Sequence, residues 1–322
     1  MKLVAVDIGG THARFAVASV ADGRVTDLGE VTTSRAVEYA SFEAAWAAFA
    51  LSQPEPLPRS AAIAVACPIR GNVLQMTNNP WRIRPDCIGK TLGVDVHLLI
   101  NDFEAVGHAV AQLGDMDLQH VCGPDVPLPR HGITTIVGPG TGLGVAQLFR
   151  DDESDHVIAS EGGHGDFAPT DPVDDAILAD LRSIHGRVSV ERIVSGPGLN
   201  AVYATLARLD GRERWPLDDK ALWAAALDGS DDRAASALDR FCLCLGAVAG
   251  DLALAHGPTA VVLAGGLGLK LANHLPGSGF AERFVAKGRF HTLMSSIPVK
   301  VVTHPQPGLF GAAAAFAREH CQ

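Results

Sequence analysis

Twice in this chain an apolar strand runs into a turn of glycine and threonine and returns along a second strand. That repetition limits the folds open to it. The first copy is Lys2–Val6, Asp7-Ile8-Gly9-Gly10-Thr11, then Ala13–Ser19. The second is Ile133–Val137, Gly138-Pro139-Gly140-Thr141-Gly142-Leu143-Gly144, then Val145–Phe149. Apolar strands flanking such turns predict β-hairpins, and glycine lets a backbone approach a ligand with no Cβ in the way. A third strand, Ala260–Ala264, ends at Gly265-Gly266. The glycines do not have the spacing of the dinucleotide fingerprint, so a Rossmann site is not supported. Each turn alone reads equally as a plain hairpin. Two in one chain suggest a duplicated scaffold that clasps phosphate through backbone N–H groups, with Thr11 adding a hydroxyl. Asp7 would repel a phosphate, so its place in such a site is through a bound Mg²⁺ and its waters.

A second feature is the stretch His97–Ala105, HLLINDFEA. Its short apolar run predicts a buried strand, and an Ala/Val-rich helical pattern follows over Phe103–Leu113. Asn101-Asp102 then stands where strand becomes helix, the position where open α/β sheets place ligands. Asp102 is either the N-cap of that helix or a carboxylate ready to take a proton from a hydroxyl. Further helices are expected over Ser41–Ser52, Asp174–Ile184, Leu199–Leu209, Asp231–His256 and Gly311–His320, with strands at Ala61–Ala66 and Ile297–Thr303. The loop Gly123–Arg130 is expected to carry the chain into a second domain. Gly89-Lys90-Thr91 imitates the end of a P-loop, but Arg84 stands where its first glycine belongs, so it is a decoy.

Glu161-Gly162-Gly163-His164-Gly165-Asp166 is a polar cluster set between glycines. It gives His164 no strand or helix face to belong to, which favours a pocket over a structural histidine. Glu191, before the Ser195-Gly196-Pro197-Gly198 turn, reads by itself as a solvated charge. Thr77-Asn78-Asn79 and Trp81 are candidates for the edge of a binding site.

Composition narrows the classes. The 322 residues are 47% hydrophobic and carry a net charge of −10, which promises a large core and argues against a nucleic-acid surface. No apolar stretch is long enough for a membrane span, and the apolar N-terminal run is too short for a secretory signal. The six cysteines have no framework spacing and are expected as reduced thiols in a cytoplasmic protein, with no structural zinc.

Seven motifs occur in one order along nearly the whole chain: VDIGGTHAR (6–14), ACPIRGNVLQMTNNPW (66–81), INDF (100–103), GPGTGLGVA (138–146), EGGHGDFAP (161–169), ERIVSGPGL (191–199) and LAGGL (263–267). In this the sequence resembles the bacterial glucokinase family, sugar kinases of the actin–hexokinase superfamily. The resemblance implies a ribonuclease-H-like α/β fold of two lobes with a cleft between them. Residues 1–112 and 305–322 would form the small lobe and 113–304 the large one, in a homodimer. It implies an ATP-dependent kinase acting on the 6-hydroxyl of D-glucose and feeding glycolysis, with Mg²⁺. Asp102 would be the catalytic base, with Asn101, Asn78, Glu161, His164 and Glu191 as sugar ligands. Val6, Asp7, Ile8, Gly9, Gly10 and Thr11 would hold the ATP phosphates; Gly138, Gly140, Thr141 and Gly142 would also face them, with Gly265 and Gly266 near the adenosine. His12 replaces the family's common Asn, and Pro139 has no N–H to offer a phosphate. The related repressor/kinase family is disfavoured because no cysteine-rich loop follows His164. A non-catalytic sugar-sensing regulator of this fold, which would carry an N-terminal helix-turn-helix, and a kinase for another hexose or phosphoryl donor are the rival readings.

Overall fold

A computed structural model describes the chain except residues 77, 78, 153, 213–217 and 322. It divides into two compact units: residues 1–114, 157–159 and 304–322 in one, 115–156 and 160–303 in the other. The strand Leu118–Cys122 already pairs within the second sheet. The passage into the second unit therefore precedes the Gly123–Arg130 loop that composition had suggested for it.

The first unit holds β1 (Lys2–Ile8), β2 (His12–Ala21), β3 (Arg24–Leu28), β4 (Thr32–Arg35), β5 (Ser60–Val65), β6 (Leu74–Gln75), β7 (Arg82–Ile83) and β8 (Val96–Asn101). Its main sheet runs β3-β2-β1-β5-β8, with β4 also on β2, while β6 and β7 form a small ladder of their own. β1 and β2 are the expected antiparallel hairpin, in register from Lys2↔Ser19 to Ile8↔Ala13. β5 is buried along its whole length because it is parallel to β1 on one side and to β8 on the other. Such a strand needs apolar residues on both faces, and SAAIAV supplies them.

One face of this sheet is covered by the helix Phe42–Ser52, which starts where Ser41 Oγ accepts the Ala44 N–H at 3.3 Å. Phe15, Phe42, Trp46, Phe49 and Trp81 form an aromatic core there. The other face carries the helices Asp102–Gln112 and Pro307–His320. The Ala-rich C-terminal helix thus finds its partner. Gly311 lets the two helix backbones meet, since a Cβ there would lie 1.7 Å from the Ala105 carbonyl oxygen.

The second unit repeats the plan. Its strands are β9 (Leu118–Cys122), β10 (Gly132–Pro139), β11 (Leu143–Arg150), β12 (Asp155–Ser160), β13 (Ala260–Leu263) and β14 (Val299–Val302). They lie in the order β12-β11-β10-β13-β14-β9. β10/β11 is the second glycine hairpin, and β13 and β14 continue from β10 in parallel. In each unit the residue just after the first parallel strand donates back to the hairpin: Ala66 N–H to Ile8 O and Ala264 N–H to Val137 O, both at 2.9 Å. The duplication read from the turns extends to whole sheets.

The helix Asp232–His256 is the centre of the second core, with Ala234, Leu238, Phe241, Leu245 and Val248 buried along its stripe. Cys242 and Cys244 are buried in it, and burial pushes the Cys242 thiol up to about 12. Among the described residues no helix is long and apolar enough to cross a membrane.

Candidate functional site

The parallel pairing of β1, β5 and β8 brings Ile8, Val65 and Asn101 to one carboxyl edge of the first sheet. That edge is where such sheets bind ligands. Ala66 N–H bonds Ile8 O at 2.9 Å, and Asn101 Nδ2 donates to Cys67 O at 3.3 Å, so the three strand ends are stitched together.

At this edge the structure separates the roles of Asn101 and Asp102. Asn101 is the N-cap: its Oδ1 accepts the N–H groups of Phe103 at 2.9 Å and Glu104 at 3.2 Å. Asp102 is the first helical residue, half-buried, with Oδ1 3.0 Å from its neighbour's N–H. The capping role weighed for Asp102 therefore belongs to Asn101. Asn101 in turn has only its second amide hydrogen for a ligand, because its oxygen is committed to the helix.

The Gly9–Thr11 turn closes with Gly9 N–H on His12 O at 2.9 Å. The Gly10 and Thr11 N–H groups meet no partner among the described residues. Adjacent unpaired amides at a tight turn make an anion-binding concavity. Val6 and Ile8 are different: both are wholly buried, so their side chains touch core rather than nucleotide and only position the turn.

Beneath it, Asp7 pairs with Arg14 at 3.1 Å. Burial pushes the Asp7 carboxyl above its usual range, against the pull of the Arg14 guanidinium. A desolvated carboxylate with one arginine contact is short of positive charge. That suits a single-carboxylate partner for hydrated Mg²⁺, an ion that arrives with nucleotide phosphates and keeps most of its waters.

Asn79, next to the predicted ligand Asn78, is buried. Its Nδ2 donates to Gly9 O and its Oδ1 accepts the Trp81 N–H, each at 3.0 Å. Asn78 itself lies outside the described residues. The residues themselves flag the pair as a possible edge, and the resemblance makes only Asn78 a ligand; the structure shows Asn79 holding the glycine turn.

In the second unit Glu161, His164 and Glu191 come together. His164 Nε2 is 3.9 Å from Glu161 Oε2, and its Nδ1 is 3.9 Å from Glu191 Oε1. Both gaps exceed a direct hydrogen bond, so the ring stands between two carboxylates with distances a hydroxyl or water can bridge. The loop is pinned by Val190 N–H on Gly165 O at 2.9 Å, Phe167 N–H on Val188 O at 3.0 Å, and an Arg187–Asp166 ion pair at 2.7 Å. Glu191, which sequence alone reads as a surface charge, is drawn in by accepting the Leu143 N–H at 2.9 Å.

The second glycine turn is less open than its sequence suggests. Gly138 is buried in β10, and the Gly140 N–H is taken by Gly142 O at 2.8 Å. The Gly140 N–H is thus already engaged inside the turn. Within this turn the Thr141 and Gly142 N–H groups lack a partner among the described residues. The Gly196 N–H bonds Gly140 O at 2.7 Å. Gly265 takes φ +80°, and a Cβ there would lie 3.0 Å from Pro139 O. The Ser195–Gly198 turn, given no role from sequence, is thus tied to the second glycine turn, which Gly265 also approaches.

Comparison with known proteins shows the family. A family model described as Glucokinase matches residues 3–319. The glucokinase of Zymomonas mobilis is 57% identical over 322 residues, covering 100% of this chain and 99% of that one. That of Caulobacter vibrioides is 40% identical over 316 residues, 97% of this chain and 94% of that one. The crystal structure of a glucokinase from an Antarctic psychrotroph superposes with TM-score 0.82 at 31% identity, covering 98% of each chain. The mixed α/β architecture is that of the actin–hexokinase fold, and the chain belongs to the glucokinase family.

Proposed function

We propose that this chain transfers the γ-phosphoryl group of ATP to the 6-hydroxyl of D-glucose, as a glucokinase. The observation that carries the reading is the carboxyl edge of the first sheet. It presents Asp102 together with the Gly10 and Thr11 amides, which have no partner among the described residues. Phosphoryl transfer needs positioning and charge stabilisation more than covalent help. Asp102 accepts the proton of the attacking hydroxyl, and the Gly10 and Thr11 amides bind phosphate oxygens; in the second unit the Thr141 and Gly142 amides have the same capacity. Asp7 is the carboxylate that would hold Mg²⁺, which would supply positive charge against the ATP phosphates.

In the second unit, Glu161, His164 and Glu191 read glucose hydroxyls. Carboxylates suit a neutral sugar because each accepts several hydroxyl hydrogens and needs no counter-charge on the ligand. Asn101 and Asn78 complete the sugar ligands, Asn101 through its second amide hydrogen. Gly265 and Gly266 flank the adenosine. The product enters glycolysis in the cytoplasm, and the working form is a homodimer, as the motif resemblance of the sequence implies; size-exclusion chromatography tests the dimer.

The test is a coupled assay of ATP-dependent phosphorylation across a hexose panel. Glucose is expected to have the highest kcat/KM. Preference for a 2-amino or N-acetylated hexose, or for polyphosphate over ATP, would overturn the substrate assignment. Glucose binding without turnover would make the chain a sensor.

A further inference from the structure

Glu191 has two oxygens facing two different jobs. Oε1 lies toward His164 in the hydroxyl-reading cluster, at 3.9 Å. Oε2 accepts the N–H of Leu143, the residue that leaves the second glycine turn, at 2.9 Å. The turn is shaped to admit it. A Cβ on Gly142 would lie 2.4 Å from Glu191 Oε2 and 3.1 Å from its carboxyl carbon. Gly142 has an ordinary φ, so no backbone strain requires glycine there. What a side chain there would displace is the Glu191 carboxylate.

We infer that Glu191 is the positioning residue of the Thr141–Leu143 turn as well as a sugar ligand, so that sugar and nucleotide binding are coupled through one carboxylate. The inference rests on the function proposed above. With Oε1 engaged by a sugar hydroxyl, the carboxylate loses its rotational freedom and Oε2 is fixed on the Leu143 amide. This sets the direction of the neighbouring Thr141 and Gly142 N–H groups. Without a carboxylate the Leu143 N–H has no partner and the turn loses its anchor on the sugar side. The coupling is reciprocal by thermodynamic necessity.

The signature is crossed. Gly142→Ala changes a residue of the phosphate turn, yet its methyl displaces Glu191 by about 1 Å, a misplacement that can cost on the order of a hundredfold. Glucose Kd, measured by calorimetry without nucleotide, is expected to rise at least tenfold. Glu191→Ala is expected to raise both the glucose Kd and the KM for ATP about tenfold. Glu191→Gln keeps an amide oxygen for the Leu143 N–H, so it should restore the ATP KM to within threefold of the parent while glucose binding stays weak.

The double variant separates displacement from general damage to the turn. If Gly142→Ala acts by moving Glu191, it adds less than twofold to the glucose Kd in the Glu191→Ala background. Multiplying effects, or a Gly142→Ala chain that binds glucose within twofold of the parent, would overturn the inference. Thermal melts confirm that each variant is folded. If Gly142→Ala fails this check, the Glu191→Gln and Glu191→Ala pair decides: equal ATP KM in both refutes the anchor. A parent chain that does not bind glucose would instead overturn the proposed function.

Discussion

Replacing Asn79 with alanine tests how the first glycine turn is held. The side chain is 4% exposed and makes two hydrogen bonds of 3.0 Å, donating to the Gly9 carbonyl and accepting from the Trp81 N–H. Alanine leaves both backbone groups unsatisfied. A buried polar group without its partner costs ~1–3 kcal/mol. Gly9 is only half-buried, so water recovers part of its share. The expected loss is about 2–4 kcal/mol, read as a lower midpoint in urea with an unchanged m-value. The catalytic effect should be selective. The Gly9 carbonyl fixes the plane of the following amide, so the Gly10 N–H loses its aim and the KM for ATP is expected to rise about tenfold, equivalent to ~1.4 kcal/mol. Glucose affinity should stay within twofold. Asn79→Asp is a sharper form of the same test. It can still accept from Trp81, but its second oxygen faces the Gly9 carbonyl with no proton to donate, so it should be no better than alanine. An alanine variant within 0.5 kcal/mol of the parent, with ATP KM within twofold, would refute this reasoning.

Two further outcomes follow from named contacts. Glu161→Gln and His164→Ala should each raise the sugar KM about ten- to a hundredfold, as expected for an unpaired contact in a hydroxyl-reading site, with ATP KM nearly unchanged; equal effects on both constants would remove them from the sugar site. His108 is pushed down to about 4, first by burial and then by the Arg318 guanidinium. The folded chain therefore holds a neutral ring where the unfolded chain binds a proton below ~6.5. Its contribution is present above that value and is lost as pH falls from there toward 4. Stability should drop by about 2 kcal/mol from this residue between pH 8 and 5, and His108→Gln should flatten the slope measured by denaturant titration. An unchanged slope would show that His108 titrates normally in the fold.

Much of the fold was legible because local chemistry and global plan agree. The two glycine hairpins, the capped helix after Ser41 and the long apolar stripe of the Asp232–His256 helix follow from periodicity and turn residues alone. The strands Arg24–Leu28, Thr32–Arg35 and Asp155–Ser160 were not seen. All three are at least half exposed; the first two carry polar residues on their open sides, and Asp155–Ser160 turns Ile158 outward between His156 and Ser160, so none shows the buried apolar run that marks an inner strand. Gly265–Leu271 is a helix although its glycines read as a junction.

In the candidate site, the Glu161/His164 pair stood out because glycines isolate it. The division of labour between Asn101 and Asp102 did not. Both are good N-cap residues, and one residue of register decides between them. Asn79 was only half visible, because its task depends on a carbonyl seventy positions earlier in the chain. The loss of Gly140 as a donor was invisible for a related reason: its amide is consumed by a bond inside the turn.

The central claim is that Asp102 acts as the base of glucose phosphorylation rather than as a piece of helix architecture. Asp102→Asn is the most direct measurement. The amide is the same size and keeps an oxygen for the Phe103 N–H that Asp102 Oδ1 now accepts at 3.0 Å, while Asn101 continues to cap the helix. Structure and stability should therefore be preserved. Losing a general base typically costs ~10²–10⁴-fold, so kcat for ATP-dependent glucose phosphorylation is expected to fall at least a hundredfold, with glucose Kd by calorimetry within threefold of the parent. A variant that keeps kcat within threefold of the parent would contradict the account.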